Sequence, residues 1–297
     1  MTHALRLGAF TLSALAAAYA AIAIYAAFQF THASRTPVAR SPREIAELVE
    51  EVRFRASDGL ALQGWYFPGT TERAAVLVHG KDSNRLDSDG LAFIARTLHD
   101  AGYAVLAFDL RGHGASEGDR FSLGHHERKD IAAAIDLVVS RGHPIGRIAV
   151  IGESMGASAA IQALRLRPGV GAVVADSAYA DGPSIVDEAG PDATGLPGIF
   201  TPGIVWAART LLGLDADSVD PERVVRDSPE RPFLFIHCDA DDLIRVHHAR
   251  RLRAASVHPD SELWIVPGCG HVGASSQEPG EYARRLLAFL DARLRGS

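Results

Sequence analysis

The sequence predicts an α/β fold, a mostly parallel sheet covered by helices on both faces. Three observations carry this. Short apolar runs alternate with amphipathic stretches along most of the chain. Several runs, such as "AAVLVHG", are unbroken by polar positions and end in glycine, as strands buried on both faces do. The chain has 297 residues, 47% of them hydrophobic, enough for one large core.

From Leu7 to Phe30 no side chain is charged. As a helix this stretch extends about 36 Å, enough to cross the hydrocarbon core of a bilayer. It is longer than the apolar core of a cleaved signal peptide, and "THAS" (Thr31–Ser34) is a poor cleavage site. Being apolar on every face, it is also unlike a helix of a soluble core. Residues 1–30 are therefore expected to be an uncleaved membrane anchor. Its direction stays open: Arg6 precedes it, while Arg35, Arg40 and Arg43 follow and lean weakly toward a cytoplasmic C-terminal side.

Residues 31–50 read as a linker with a short helix, and 51–297 as the folded domain. "EVRFRA" and "LALQGWYF" alternate apolar and polar residues around Asp58-Gly59, predicting an antiparallel hairpin at one sheet edge. Strands are then expected at Ala74–Gly80, Tyr103–Leu110, "RIAVIG", Val170–Ser177, Pro232–His237 and "ELWIVPG". Helices are expected at about 86–100, 127–140, from Met155, near 246–255 and from Glu281. Between about Tyr179 and Arg231 there is no strand-like run but an apolar, Pro/Gly-punctuated stretch, "LPGIFTPGIVWAARTLLGL". An insertion of this length between core strands reads as a lid, the alternative being an excursion packed on the core.

Sites in open parallel sheets lie beyond the carboxyl ends of the strands. After "RIAVI" comes Gly152-Glu153-Ser154-Met155-Gly156, a G-x-S-x-G sequence between strand and helix. Its glycines let strand and helix approach around an exposed serine hydroxyl, a nucleophile candidate rather than a plain helix cap. A serine needs a base oriented by a carboxylate. "PGCGHVG" puts His271 just past the last strand, and "CDADDLI" offers Asp239, Asp241 and Asp242. The remaining histidines have ordinary readings, with His125, His126, His247 and His248 expected on solvated helices. The backbone N–H groups of Met155 and Lys81 are the candidate oxyanion donors.

"VLVHGKDSN", "FDLRGHGASEG", "GESMG", "FIHCDADDLI" and "PGCGHVG" stand in the order of the α/β-hydrolase blocks, and the chain resembles that superfamily over about residues 50–295. With its anchor and "DGLALQGWYFP" opening it looks like the membrane-anchored BEM46/ABHD13-like branch. The resemblance implies the α/β-hydrolase fold and assigns the acid role to Asp241. Two departures put this in question: Cys238 stands where glycine is usual, and Asp242-Leu243-Ile244-Arg245 lacks the usual proline. Arg111 and His113 become scaffold.

The expected function is a serine hydrolase of carboxylic ester or thioester bonds, through Ser154, His271 and Asp241 and an acyl-enzyme. Such chemistry requires no cofactor or metal. No C-x-x-C pair suggests zinc, and Gly112-x-Gly114 lacks the third glycine of a dinucleotide loop. A net charge of −6 gives no reason to expect nucleic acid. The open alternatives are a peptidase of the same fold and a non-catalytic membrane-tethered binding module. The anchor and apolar lid suggest a small-molecule or lipid-like acyl substrate. Cys238 and Cys269 follow two strands expected to be neighbours, which would bring them close; two buried free thiols are the expectation, with pairing left open.

Overall fold

The computed structural model describes residues 2–294. Met1, at the head of the expected anchor, and 295–297, at the end of the expected domain, lie outside the described residues. The apolar runs form strands β1 (Glu50–Arg55), β2 (Ala61–Phe67), β3 (Ala74–Val78), β4 (Ala104–Phe108), β5 (Ile148–Glu153), β6 (Ala172–Asp176), β7 (Phe233–Cys238) and β8 (Glu262–Val266). They make one sheet in the order β1-β2-β4-β3-β5-β6-β7-β8. β2 pairs antiparallel with β1 and β4, placing the expected hairpin at one edge, and the remaining pairs are parallel.

Alternate residues of each central strand enter different cores. Val76, Val150 and Phe235 face α3 (Glu127–Ser140), α4 (Met155–Ala163) and α8 (His247–Ala255). Leu77, Ile151 and Ile236 face α2 (Asp89–Asp100) and α10 (Pro279–Arg293). Both sets are buried because strand side chains alternate and helices cover both faces, which is why these strands read as continuous apolar runs. α2 begins at Asp89 rather than near Leu86 because the Ser88 side chain accepts the Leu91 N–H as its cap.

The chain from 179 to 231 contains α5 (Gly182–Thr194), α6 (Thr201–Leu212) and α7 (Pro221–Arg226). Val224 and Val225 of α7 join the main core, so the end of this insertion packs as an ordinary excursion. α5 borders the cavity beside Ser154 at the carboxyl end of β5, and α6 packs on α5 and on the N-terminal helix α1 (Thr2–Phe30). There Ala23, Ala26 and Ala27 bury themselves against Ile204 and Ala207. Tyr19 stacks on Phe200 at 5.1 Å between centroids and donates to the Ile199 carbonyl. α1 from Arg6 to Phe30 is long and apolar enough to cross a membrane. The segment after it lies along the domain: Arg35 donates to the Gly114, Ser116 and Gly118 carbonyls, and Ile45 enters the core.

Candidate active site

β5 breaks at Ser154, whose backbone (φ 55°, ψ −123°) lies in a region that costs a non-glycine residue about 1–3 kcal/mol. The turn is held by the Ser154 N–H, which donates to the Asp176 carbonyl at 2.8 Å. The flanking glycines are required by space. A Cβ on Gly152 would come within 2.5 Å of the Gly156 carbonyl oxygen, and one on Gly156 would run into the backbone oxygens of Val78 and His79. Strand and helix thus close around the serine, and its Oγ points into a cavity.

His271 follows β8. Its Nε2 lies 2.8 Å from Ser154 Oγ and its Nδ1 2.7 Å from Asp241 Oδ2. Asp241 is buried, and its Oδ1 accepts the Leu243 and Ile244 N–H groups at 3.0 and 2.8 Å. Burial alone would raise its pKa. The His271 hydrogen bond and charge, with the Ile244 N–H, outweigh burial and hold the carboxyl below its ordinary range. The other two carboxylates of "DADD" are exposed, and Asp239 instead accepts the Gly268 N–H. Of the three candidates, only Asp241 meets the histidine. Without the usual proline, the Leu243 and Ile244 N–H groups hold this carboxylate in place.

Lys81 and Met155 line the same cavity as Ser154. The Met155 N–H belongs to the first turn of α4, where helix N–H groups have no acceptor four residues back. The Lys81 loop is positioned by two buried histidines: His79 accepts the Leu110 N–H and His113 accepts the Asp82 N–H. Burial pushes His79 down to about 4, so it stays a neutral acceptor at neutral pH. Arg111 is bound to Asp130 and Asp58, away from the cavity, as a scaffold residue would be.

Two sequence expectations need correction. Cys238 and Cys269 are not free thiols but a disulfide, with Cα atoms 5.1 Å apart. β7 and β8 are hydrogen-bonded neighbours whose ends bring the two Cβ positions together, within bridging range. Three of the four paired histidines are also less solvated than expected, while His247 on α8, with 44% of its side chain exposed, is on a solvated face. His125 and His126 precede α3 and are half-buried, and His248 is fully buried with its ring stacked on His247.

His247 and His248 form a three-residue cluster with Glu188 of α5, their candidate ligand atoms within 4.8 Å of one another. The hydrogen bonding does not suit a metal. His248 Nδ1 accepts the Ala180 N–H, so the proton of the neutral ring sits on Nε2, the atom facing Glu188.

A buried network behind the serine was not anticipated. Glu153 Oε2 accepts from Ser88 Oγ at 2.9 Å while its Oε1 has no partner, and burial followed by the charge of Asp176 pushes its pKa up to about 8. Asp176, opposite it on β6, is raised by burial to about 6 and accepts from Ser177 Oγ and Tyr282 OH. Ser177 Oγ in turn accepts the N–H of Val272, the residue after His271. Charged residues at the ends of otherwise apolar strands were the available signal.

The cavity over Ser154 has a volume of 160 Å³ and is walled by apolar side chains, among them Tyr179, Ile185, Val186 and Leu243. Phe30, the last residue of α1, is part of this wall. No sequence pattern pointed to it.

A mostly parallel eight-stranded sheet that turns on a positive-φ serine between β5 and α4 defines an α/β hydrolase. The family described as "Serine aminopeptidase, S33" (Hydrolase_4) matches residues 69–228, more than half of the chain, and the chain belongs to this family of α/β hydrolases. It is 31% identical over 222 residues to "Uncharacterized protein Rv2307c" of Mycobacterium tuberculosis, covering 74% of this chain and 72% of that one. It is 27% identical over 250 residues to "Uncharacterized protein YfhR" of Escherichia coli K12, covering 81% and 80%. Among solved structures, the Pyrococcus furiosus esterase Pf2001 superposes with a TM-score of 0.74 at 24% identity, covering 89% of this chain and 100% of that one. The hydrolase GrgF of Penicillium sp. sh18 superposes at 0.66 with 21% identity, covering 83% and 99%.

Proposed function

We propose that the protein is a membrane-anchored serine hydrolase that cleaves the ester or thioester bond of an apolar acyl substrate. The observation that carries this reading is the line of hydrogen bonds Ser154 Oγ–His271 Nε2 (2.8 Å) and His271 Nδ1–Asp241 Oδ2 (2.7 Å) opening into an apolar cavity. Ser154 attacks the acyl carbon while His271 takes its proton. The Lys81 and Met155 N–H groups receive the negative charge that develops on the carbonyl oxygen. His271 then protonates the leaving alcohol or thiol. Water, deprotonated by the same histidine, attacks the acyl-enzyme and releases the acid, restoring Ser154. Asp241 holds the imidazole in orientation and stays ionised throughout, which suits its lowered pKa. α5 and α6 act as the lid, and α1 as the anchor.

The family description raises a peptidase reading, and the cavity wall speaks against an amino-terminal exopeptidase. Such an enzyme needs a carboxylate to pair with the substrate ammonium, whereas the charged side chain among the described lining residues is Lys81. The esterase named among the solved structures agrees with ester chemistry as an analogy of fold.

The test is labelling of the full chain with a fluorophosphonate probe, followed by p-nitrophenyl esters of increasing chain length and aminoacyl-naphthylamides. We expect labelling that Ser154→Ala abolishes and turnover of esters. Undiminished labelling of Ser154→Ala, or turnover confined to the naphthylamides, refutes the reading.

A further inference from the structure

The N-terminal helix and the lid cannot be assigned to separate environments. A crossing of the roughly 30 Å hydrocarbon core takes about 20 apolar residues, which counted from Leu7 ends near Ala26. Yet α6 packs on α1 from Tyr19 to Ala27. About 12 Å of the crossing, at 1.5 Å per residue, therefore lies beside the lid helix. Sliding α1 outward to free α6 would draw Arg6 into the hydrocarbon, where a charged side chain is costly.

The outer surface of the lid suits that depth. Ile199, Trp206 and Leu211 are 72, 57 and 50% exposed, and Tyr25 of α1 is 67% exposed. Arg209, near the end of α6, pairs with Asp215 and Asp217. Trp206 and Tyr25 are residue types favoured at a bilayer interface, and the charge of Arg209, one turn beyond Trp206, is paired, so the exposed surface of the lid suits the interfacial layer.

The cavity over Ser154 adjoins the same helix α1, through Phe30. A groove of 470 Å³ runs between α1 and the end of α5, walled by Ala21, Ile22, Tyr25 and Leu196. Phe30 and Ala193 belong both to this groove and to the 160 Å³ cavity that holds Ser154. The two spaces share a wall made of the end of the anchor and the end of the first lid helix.

We infer that α6 rests in the interface of the bilayer that α1 crosses, and that the acyl chain of a bilayer lipid reaches Ser154 laterally through the groove and past Phe30. This rests on the hydrolytic reading of Ser154. The occupant of this surface is lipid because α6 packs directly on α1, whose own exposed residues Ile22, Tyr25 and Phe28 are apolar.

The test uses the full chain in phosphatidylcholine vesicles whose acyl chains are brominated near the headgroup. Tryptophan emission is compared between the wild type and Trp206→Phe, so that the difference reports Trp206 alone. We expect bromination to quench that difference at least twofold. A difference spectrum that is unquenched overturns the proposal, and one also shielded from iodide assigns the face to a protein partner instead. Ile199→Asp/Leu211→Asp tests the route. Per fluorophosphonate-titrated site, its ratio of long-chain to short-chain ester turnover in vesicles should fall about tenfold, and an unchanged ratio overturns lateral entry. Quenching without any fluorophosphonate labelling would leave the seating of the lid standing and overturn both the hydrolytic reading and the lipid route that depends on it.

Discussion

Cys238 and Cys269 join the ends of β7 and β8 by a disulfide, three residues before Asp241 and two before His271. The bridge ties together the two loops that carry Asp241 and His271, placing a covalent link between neighbouring strands beside that hydrogen-bonded pair.

Reduction should therefore act on both stability and activity. The bridge closes a loop with a sequence separation of 31, for which chain entropy gives about 3–4 kcal/mol of stabilisation. Cys238→Ser/Cys269→Ser should unfold at a correspondingly lower denaturant midpoint and label more slowly with fluorophosphonate. Equal midpoints for the oxidised and reduced wild type would refute this.

A structural disulfide also belongs to an oxidising compartment, against the weak lean of the flanking arginines. With α1 as the proposed anchor, we expect the domain that follows it on the oxidising side of the membrane. Cells denatured in the presence of a maleimide-polyethylene glycol should yield protein unmodified at both cysteines until a reductant is added. Immediate modification would place the domain on the reducing side.

Asp241→Asn removes the charge that orients His271 while keeping the shape. We expect kcat to fall about 10⁴-fold, by analogy with the same change in other Ser-His-Asp enzymes. Asp242→Asn, on an exposed side chain, should stay near the wild-type rate. Comparable losses in the two variants would dissolve the assignment of the acid.

Glu153 gives a pH dependence of stability. Its folded pKa is about 8, raised above the ordinary carboxyl value of 4.5. Between these values the folded state holds a proton that the unfolded chain has released, so stability falls as pH rises from about 4.5 to 8. Glu153→Gln, still able to accept from Ser88, should remove this slope. Urea midpoints in detergent should then favour the variant more at pH 8 than at pH 5, by on the order of 1 kcal/mol or more. A constant difference would count against a neutral Glu153.

Gly156→Ala would press a methyl group against the Val78 and His79 carbonyls, at the joint between β3 and α4. Overpacking of a rigid site costs about 1–3 kcal/mol, and the displaced elbow should lose labelling at Ser154. Thermal unfolding and probe labelling measured together decide it; wild-type values for both would mean that the joint yields.

Much of this architecture was legible because it is written in local pattern. Unbroken apolar runs such as Ala74–Val78 are what a doubly covered strand requires, and glycines two places either side of Ser154 are what a tight strand-to-helix turn requires. Those patterns determined the parallel sheet, the serine elbow and the loops holding His271 and the acid. Tertiary structure alone decided the rest, because it depends on which segments distant in the chain come to lie together. Sheet order brought Cys238 to Cys269 and selected Asp241 from three neighbouring carboxylates. Burial, which no spacing records, raised the pKa values of Glu153 and Asp176 above those of carboxyls in water. And the packing of α1 on α6 set Phe30, the end of an apolar helix, into the wall around Ser154.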